Sequence, residues 1–372
     1  MIWRRGVVTE RRKAWSDSLE LMVKLDDASE HKALAYIPLV GEPQLGDTVL
    51  LSADAVAKNL GTGGYLFVIA VPDRLPSDPP PSSGHLVKAR YTPMQYMVEG
   101  VDEQDSPYHE LLADADSIDS MPVVVADLHS ALPAIALAIK ARSPEARIAY
   151  VMTDGGSLPA WFSQTAARLE RDSVIIGTIT CGQAYGGSLE AVNIYTALLA
   201  ARLVCHADVT IVAQGPGNLG TGTKWGFSGT NVGEALNAVG ILGGTPIAAL
   251  RSSNADRRSR HFGISHHTLR VLKDVVTRRC VVPVPEFSSG ERLSALLSDD
   301  FYHTFNAHVA ELRAQPNLKL STISTAGLSD ILAQSPVKLS TMGRGLEEDP
   351  ASFVCAGVAG FYASEVFDHV AD

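Results

Sequence analysis

Short apolar runs alternate with helix-length segments along the middle of the chain, and this alternation constrains the fold more than any other feature. The runs are rich in Val, Ile and Ala, as in strands that are buried on both faces of a sheet. Strands separated by helices form βαβ units, in which the strands run parallel. We therefore predict an α/β domain over residues 85–287, a doubly wound parallel sheet with helices on both faces. The predicted strands are 123–126, 147–152, 174–179, 209–213, 246–250 and 280–284, and the predicted helices are 131–141, 159–169, 189–204, 231–242 and 266–276.

The N-terminal region has a different pattern, because its strand-length runs are separated by turns and not by helices. The runs at 6–8, 19–25, 33–39, 48–51 and 65–71 predict a small β-barrel or sandwich domain over residues 1–71. The glycine-rich turn 61–64 is either a tight connection or a backbone nest for an anion. Residues 72–84 contain five prolines and one apolar side chain, which predicts a linker between the domains.

The C-terminal region is predicted to be a helical extension, residues 288–372, packed on the α/β domain. Helical spacing is found at 291–297, 302–314, 328–334 and 352–367. Small residues at 356–360 allow a close helix contact, either within the chain or between subunits. We expect a homo-oligomer.

The overall charge excludes some partners. Asp and Glu (41) outnumber Lys and Arg (31), which gives a net charge of −10 and disfavours nucleic-acid and membrane-surface binding. No uninterrupted apolar run reaches the ~18 residues of a membrane span. The four cysteines are far apart, and no export signal precedes the first strand. We expect a cytoplasmic protein whose partner is a small molecule, with no nucleic acid and no membrane.

Ligands of an open parallel sheet bind beyond the carboxyl ends of the strands, where the strand order reverses. The predicted strands end in polar or glycine-rich loops that also contain His, Gln, Cys and Arg, which are not typical turn residues. The first two strands end in Asp127, His129 and Asp154. These three are the candidate acid/base or metal groups of a catalytic site.

The loop after the fourth predicted strand contains the most specific motif. Gly215, Gly217 and Gly220 match the G-x-G-x-x-G spacing that lets a backbone approach a pyrophosphate, although about ten residues separate Gly220 from the next helix. Lys224 follows Gly-Thr, without the order of a Walker loop. We predict a phosphorylated or nucleotide ligand here, and the cofactor itself stays unknown. The predicted binding residues are Gly215, Gly217, Asn218, Gly220, Thr221, Thr223, Lys224 and Arg251. The other interpretation is a mobile loop that closes over something else or forms a subunit contact.

Three further sets of residues are alternative candidates for a functional site. Asp127, His129, Asp154, Asn218 and the pair His266-His267 are potential ligands of a divalent-metal hydrolase. Neighbouring helical residues point about 100° apart, so we expect that His266 and His267 do not face one ion, and no metal ligand is predicted. Cys181 or Ser130 could act as a nucleophile, but no partner for either follows from the sequence. The basic run Arg251, Arg257, Arg258, Arg260 and His261 is either a solvated loop or an anion-binding patch opposite Lys224.

Several longer stretches resemble a bacterial family, common in actinobacteria, that is classed as a domain of unknown function. These stretches are 41–43, 61–65, 84–93, 123–130, 150–156 and 214–229. The resemblance covers the chain from the first strand to about residue 284. It implies no activity, cofactor or catalytic residue.

Two classes of function are consistent with these patterns. The first is an enzyme-like protein that binds a small phosphorylated ligand at the carboxyl ends of the sheet. The alternative is a non-catalytic sensing or assembly module, whose glycine loop and small-residue helix make subunit contacts. Whether the chain is an enzyme is left open.

Overall fold

A computed structural model describes residues 1–60, 63–79, 84–153, 156–287 and 290–371. The chain divides into two compact units. The first unit combines Met1–Ser83, Val87–Val98 and Trp161–Ala167, and the second holds the rest of the chain. Part of the predicted turn 61–64 and part of the predicted linker 72–84 lie outside the described residues.

The first unit contains the predicted barrel. Its five strands are β1 (Trp3–Trp15), β2 (Ser18–Leu25), β3 (Glu30–Tyr36), β4 (Thr48–Ser52) and β5 (Leu66–Ala70). They close in the order β1-β2-β3-β5-β4, with β3 and β5 parallel and the other pairs antiparallel. This connectivity is that of an OB-type barrel. Two short helices, α1 (Ile37–Val40) and α2 (Asp54–Ala57), and a small sheet of β6 (Leu86–Lys88) and β7 (Tyr96–Val98) complete the regular structure.

A segment from later in the chain covers one side of this barrel. The Ser18 hydroxyl donates a hydrogen bond to the Trp161 carbonyl oxygen over 2.7 Å. The rings of Tyr36 and Trp161 lie 6.1 Å apart, and those of Phe67 and Phe162 lie 6.4 Å apart. Barrels of this type bind oligonucleotides on the face of strands β2 and β3. Here the chain's own aromatic residues pack on β2, β3 and β5.

The second unit is built on an eight-stranded sheet in which every neighbouring pair is parallel. The spatial order is β11-β10-β9-β12-β8-β13-β16-β17. This sheet confirms the predicted parallel α/β architecture. Its strands are β8 (Pro122–Ala126), β9 (Ile148–Thr153), β10 (Gly177–Cys181), β11 (Leu189–Ala191), β12 (Val209–Gln214), β13 (Thr245–Ala248), β16 (Cys280–Glu286) and β17 (Leu318–Ser324). The short strands β14 (Ser252–Ser253), β15 (Gly263–Ile264), β18 (Ser340–Thr341) and β19 (Arg344–Gly345) pair as two further ribbons.

The helices of the second unit pack in two groups, as expected for a doubly wound fold. One group is made by α4, α10 and α11, and the other by α6, α7, α8 and α9. The helices that follow the barrel are α3 (His109–Leu112), α4 (Leu132–Arg142), α5 (Gln164–Arg171), α6 (Ile194–Leu199), α7 (Asn231–Ile241), α8 (His266–Asp274), α9 (Asp299–Arg313), α10 (Leu328–Ala333) and α11 (Pro350–Ala371). The first half of α5 belongs to the first unit. The chain continues from α6 into a π-helix, Ala200–Val204. Single 3₁₀ turns occupy His129–Ala131, Ala160–Phe162, Ser228–Thr230, Ser259–His261 and Ser294–Leu296.

Several segments differ from the sequence-based prediction, such as the predicted helix 291–297, of which only the 3₁₀ turn Ser294–Leu296 is present, and two of them change the sheet. The predicted helix 189–204 begins only at Ile194, because the Asn193 side chain caps it by accepting from the amides of Tyr195 and Thr196. Leu189–Ala191 instead extends the sheet as β11. The C-terminal region is also not wholly helical, since β17 adds an eighth strand beside β16. At the sheet edge β17 has one neighbouring strand, and its partly exposed sequence lacks the continuous apolar run of the inner strands.

The small residues of α11 pack within the chain. A Cβ atom on Gly360 would lie 2.4 Å from the Ile135 carbonyl oxygen, so glycine lets α11 approach α4 closely. Ala356, Val358 and Ala359 are at most 1% exposed. The close contact that these small residues make is therefore one within the chain. Pro350–His369 has the length and apolarity of a membrane span, but 72% of it is buried, as in the core helix of a soluble protein.

Candidate functional site

The strand order reverses between β8 and β12, which are neighbours at the centre of the sheet. The chain leaves β8 toward β9 on one side, and it leaves β12 toward β13 on the other side. In open α/β sheets this is the position where ligands bind, outside the carboxyl ends of the strands. Asp127 follows β8 directly, and Gln214 is the last residue of β12. The candidate site is therefore centred on these two residues.

Asp127 is buried at this point, and both of its carboxylate oxygens have partners. Oδ2 accepts from the Arg251 guanidinium over 2.7 Å, and the side chains of Asp127 and Arg251 are only 5% and 10% exposed. Oδ1 accepts from the amide groups of Gln214 (3.1 Å) and Asn218 (3.2 Å). A Cβ atom on Gly229 would lie 2.4 Å from Oδ1, so this network also requires a glycine. Asp127 thus joins the loops that follow β8, β12 and β13.

The space beside Asp127 is small. Two cavities lined by Asp127 have volumes of about 10 Å³ each, which is the space of one water-sized sphere. One lies against Gln214 and the other against His267. Both are too small to admit a substrate. The catalytic role of Asp127 stays a prediction, because a reacting group needs direct access to its substrate.

His129 belongs to the same edge but bonds to other partners. Its Nδ1 lies 3.0 Å from the hydroxyl of the buried Tyr150, which lies 3.3 Å from the Ala213 carbonyl oxygen of β12. Burial lowers the pKa of His129 to about 4, so the imidazole is neutral near pH 7. The third predicted catalytic residue, Asp154, lies outside the described residues. The structure therefore does not test the predicted triad of Asp127, His129 and Asp154.

The glycine-rich loop after β12 forms a hairpin before the chain reaches α7. Gly220 and Phe227 pair as an isolated antiparallel bridge, and Thr221 N donates to Gly226 O over 2.7 Å. The Thr221 and Thr223 hydroxyls bond to each other over 3.0 Å. Thr221 and Thr223, which were predicted to contact phosphate, thus form hydrogen bonds within the hairpin.

The predicted glycines have different environments. Gly215 is buried, and a Cβ atom there would lie 2.9 Å from the terminal methyl groups of Leu158 and Met152, so a larger residue would have to displace these side chains. Gly217 has a φ of +115° and open space around it, which fits the backbone freedom of a turn. The motif therefore does not lead directly into a helix N-terminus, where a dinucleotide loop would place its pyrophosphate.

The tip of the hairpin carries an exposed tryptophan between two cations. Trp225 is 49% exposed. Lys224 Nζ lies 5.8 Å from its ring centroid, and the Arg270 guanidinium carbon of α8 lies 5.6 Å from it. Lys224 is thus placed beside Trp225, while Arg251 is turned inward to Asp127.

Three histidines meet at the start of α8. Their ligand atoms, in His261, His266 and His267, lie within 4.8 Å of one another. The rings of His266 and His267 are 4.2 Å apart, which is closer than the expectation that these two do not face one ion implies. They are the first two residues of the helix, and Ser265 caps it through the His267 amide. The His267 ring also stacks on Phe227 at 4.0 Å.

Burial and nearby guanidinium groups keep these histidines neutral. Burial, and then Arg251, lower the pKa of His261 to about 4. Burial, His266 and Arg251 lower that of His267 to about 3. The pKa of His266 is lowered by burial and by four arginines. These arginines are Arg260, Arg251, Arg258 and Arg270.

One of the four arginines is not paired. Arg251, Arg258 and Arg270 form ion pairs with Asp127, Asp256 and Asp274, respectively. Within the described part of the chain, Arg260 has no carboxylate partner and is exposed. The sequence indicates the basic run, but neither Arg270 nor Trp225 is among the predicted site residues. The signal that could have found Arg270 is its position four residues after His266 on a helix.

A wider groove, of about 830 Å³, lies at the opposite end of the sheet. It is lined by the first residues of β13, β16 and β17 and by the exposed Arg278 and Arg279. This groove does not coincide with the carboxyl edge where the sequence predicted the site. The arginines of this groove can therefore serve as controls in tests of ligand binding at the carboxyl edge.

Comparison with known proteins identifies the family and gives no activity. No curated protein matches the chain, and no solved structure matches it. The model of one family, described as a protein of unknown function (DUF3866), matches residues 32–360. The match confirms the resemblance to a family of unknown function and extends it beyond residue 284 into α11. The chain therefore belongs to the DUF3866 family.

Proposed function

We propose that the carboxyl edge of the sheet binds a small phosphorylated ligand of the nucleotide class. The observation that carries the proposal is Arg260, which is exposed, has no carboxylate partner among the described residues, and directly precedes His261 of the histidine cluster. Arginine binds phosphate oxygens through paired N–H groups. In a chain of net charge −10, an exposed arginine without a carboxylate partner favours an anionic ligand.

Trp225 supports the nucleotide class within this proposal. An exposed indole beside Lys224 and Arg270 offers a ring face for a base and two cations for its phosphates. Stacking of one base on an aromatic side chain contributes about 1–3 kcal/mol. Inorganic phosphate would use only the cations, so the two contributions can be separated experimentally.

The first experiment tests the position of the phosphate. ATP and inorganic phosphate are titrated into the purified chain by calorimetry. Arg260→Ala should weaken the affinity for both about 10- to 100-fold, since a hydrogen bond to a charged group contributes about 1.5–3 kcal/mol. Arg279→Ala is the matched control, because Arg279 is also an exposed arginine but lines the groove at the other end of the sheet. Loss of binding in Arg279→Ala alone would place the ligand in that groove and overturn the proposal.

The second experiment tests the base. Trp225→Ala should lower the affinity for ATP about 5- to 150-fold and leave that for inorganic phosphate unchanged. Trp3→Ala is the control, because Trp3 of the barrel is 51% exposed, close to the 49% of Trp225. Equal ATP affinity in both variants would exclude base stacking at Trp225.

The proposal is for binding, and it leaves catalysis by Asp127 and His129 as a prediction. Asp127 is committed to Arg251, Gln214 and Asn218, so a general base at this position would first have to exchange these partners. The expected homo-oligomer and cytoplasmic location also stay predictions. The assembly-module alternative requires the hairpin 219–228 to be covered by another subunit, which would leave Trp225 inaccessible to ATP.

A further inference from the structure

The cluster of His261, His266 and His267 has features that the proposed anion site does not use. The ring centroids lie 4.2 Å apart for His266–His267, 4.9 Å for His261–His266 and 5.2 Å for His261–His267. One potential ligand atom of each residue lies within 4.8 Å of those of the other two. Nitrogens on one tetrahedral ion, bound at about 2.0–2.1 Å, lie roughly 3.4 Å apart. The largest separation therefore has to shorten by at most about 1.4 Å for the three to share an ion.

His266 provides an independent indication of a ligand. Its Nε2 atom is buried and has no hydrogen-bond partner among the residues that the structure describes. A buried polar atom without a partner costs free energy, and such atoms are rare in folded proteins. Coordination of a metal ion by Nε2 would remove this cost. We propose that His261, His266 and His267 bind one transition-metal dication, in a site that does not depend on the anion ligand.

Ser265 is placed to orient the first of these ligands. The Ser265 hydroxyl oxygen lies 2.8 Å from His261 Nδ1. When Nδ1–H donates to this oxygen, Nε2 of His261 is left with its lone pair for the ion. Histidine ligands commonly have such an outer partner, and its removal weakens metal binding about 10- to 100-fold. Ser265 is therefore a positioning residue of the proposed site.

The ligand set selects the class of metal. Three imidazoles without a carboxylate suit Zn²⁺, Co²⁺, Ni²⁺ or Cu²⁺, whereas Mg²⁺ and Ca²⁺ prefer oxygen ligands. Most of the surrounding positive charge is neutralised, since Arg251, Arg258 and Arg270 each pair with an aspartate. Three protein ligands leave a fourth position for water or an anion.

The test uses the full chain without an affinity tag, stripped of metal by chelation and dialysed. Co²⁺ is added while visible absorption is recorded, because tetrahedral Co²⁺ absorbs strongly, and Zn²⁺ is then titrated calorimetrically. We expect one ion per chain and an increase in the melting temperature with Zn²⁺. A wild-type chain that binds neither ion would overturn the proposal, whatever its affinity for phosphate.

The variants separate this site from general histidine binding. His266→Ala and His267→Ala should each abolish the Co²⁺ absorption, and Ser265→Ala should weaken binding about 10- to 100-fold. His303→Ala is the control, because His303 is an exposed histidine on α9, and it should bind like wild type. Circular dichroism of each variant shows whether it is folded. One ion bound with unchanged affinity in folded His266→Ala would refute the site. Arg260→Ala should keep the metal while losing phosphate, so the two proposals can fail separately.

Discussion

The buried pair of Asp127 and Arg251 gives the sharpest prediction for the stability of the second unit. Asp127→Ala leaves Arg251, only 10% exposed, without its carboxylate. The remaining side-chain partner of the guanidinium is His267 Nδ1 at 3.3 Å. Breaking a buried ion pair by removing one partner costs about 3–5 kcal/mol, because the other charge stays buried. We therefore expect Asp127→Ala to lower the free energy of unfolding by about this amount.

A double-mutant cycle isolates the pair from its surroundings. Arg251→Ala should cost less than Asp127→Ala, since Gln214 and Asn218 still donate to the carboxylate. The double variant removes both charges, so its cost should fall below the sum of the single costs by about 0.5–3 kcal/mol. The free energies come from urea unfolding followed by circular dichroism.

Glu347→Ala is the control for this cycle. Glu347 pairs with Arg292 on the surface, and its side chain is 70% exposed. Exposed pairs contribute about 0–1 kcal/mol, so this variant should unfold almost like wild type. A cost below about 1 kcal/mol for Asp127→Ala would refute the reasoning, and so would single costs that add within about 0.5 kcal/mol.

Two further predictions concern acid stability and helix packing. Burial lowers the pKa of His129 to about 4, whereas the pKa in the unfolded chain is about 6.5. Between pH 6.5 and 4 the unfolded state therefore binds a proton that the folded state does not bind. The folded state thus loses stability as the pH falls through this range. His129→Gln should reduce this loss by up to about 1.4 kcal/mol per pH unit in urea unfolding at a series of pH values, and an unchanged slope would contradict it. Gly360→Ala places a Cβ atom 2.4 Å from the Ile135 carbonyl oxygen and should cost about 1–3 kcal/mol, despite the better helix propensity of alanine. In Gly240→Ala on α7, the nearest contact would be Arg278 Cβ at 3.0 Å, longer than the 2.4 Å at Gly360, so this variant should lower the melting temperature less. A change of the same size in both variants would be evidence against close packing at Gly360.

The strands at the centre of the sheet could be predicted because burial on both faces leaves a continuous apolar run. Val123, Val124 and Ile211 are fully buried, and each lies in a predicted strand. At the edges this signal fails. Leu318–Ser324 has one neighbouring strand and keeps polar side chains, so its sequence suggests no strand.

The sequence could suggest a position for the site but not its contacts. The rule for strand ends singled out Asp127 because it follows an apolar strand along the chain. It could not show that Arg251, 124 residues after Asp127, would neutralise the carboxylate. The histidine cluster was missed for a related reason. The 100° spacing applies within a helix, whereas His266 and His267 occupy its first turn, beside His261 of a separate 3₁₀ turn.

These contacts divide the carboxyl edge into an inner and an outer layer. In the inner layer, Asp127, Gln214 and Arg251 bond to one another, which fixes the loops that leave the strands. In the outer layer, Arg260, Trp225 and the Nε2 atom of His266 keep binding capacity that the described chain does not use. Ligand binding should therefore depend on the outer layer, and stability on the inner one. Arg260→Ala should leave the free energy of unfolding unchanged while it weakens phosphate binding, and Arg251→Ala should lower the free energy of unfolding. If Arg260→Ala instead destabilises the fold as much as Arg251→Ala does, the two layers are one structural network, and the positive charge around His266 serves folding.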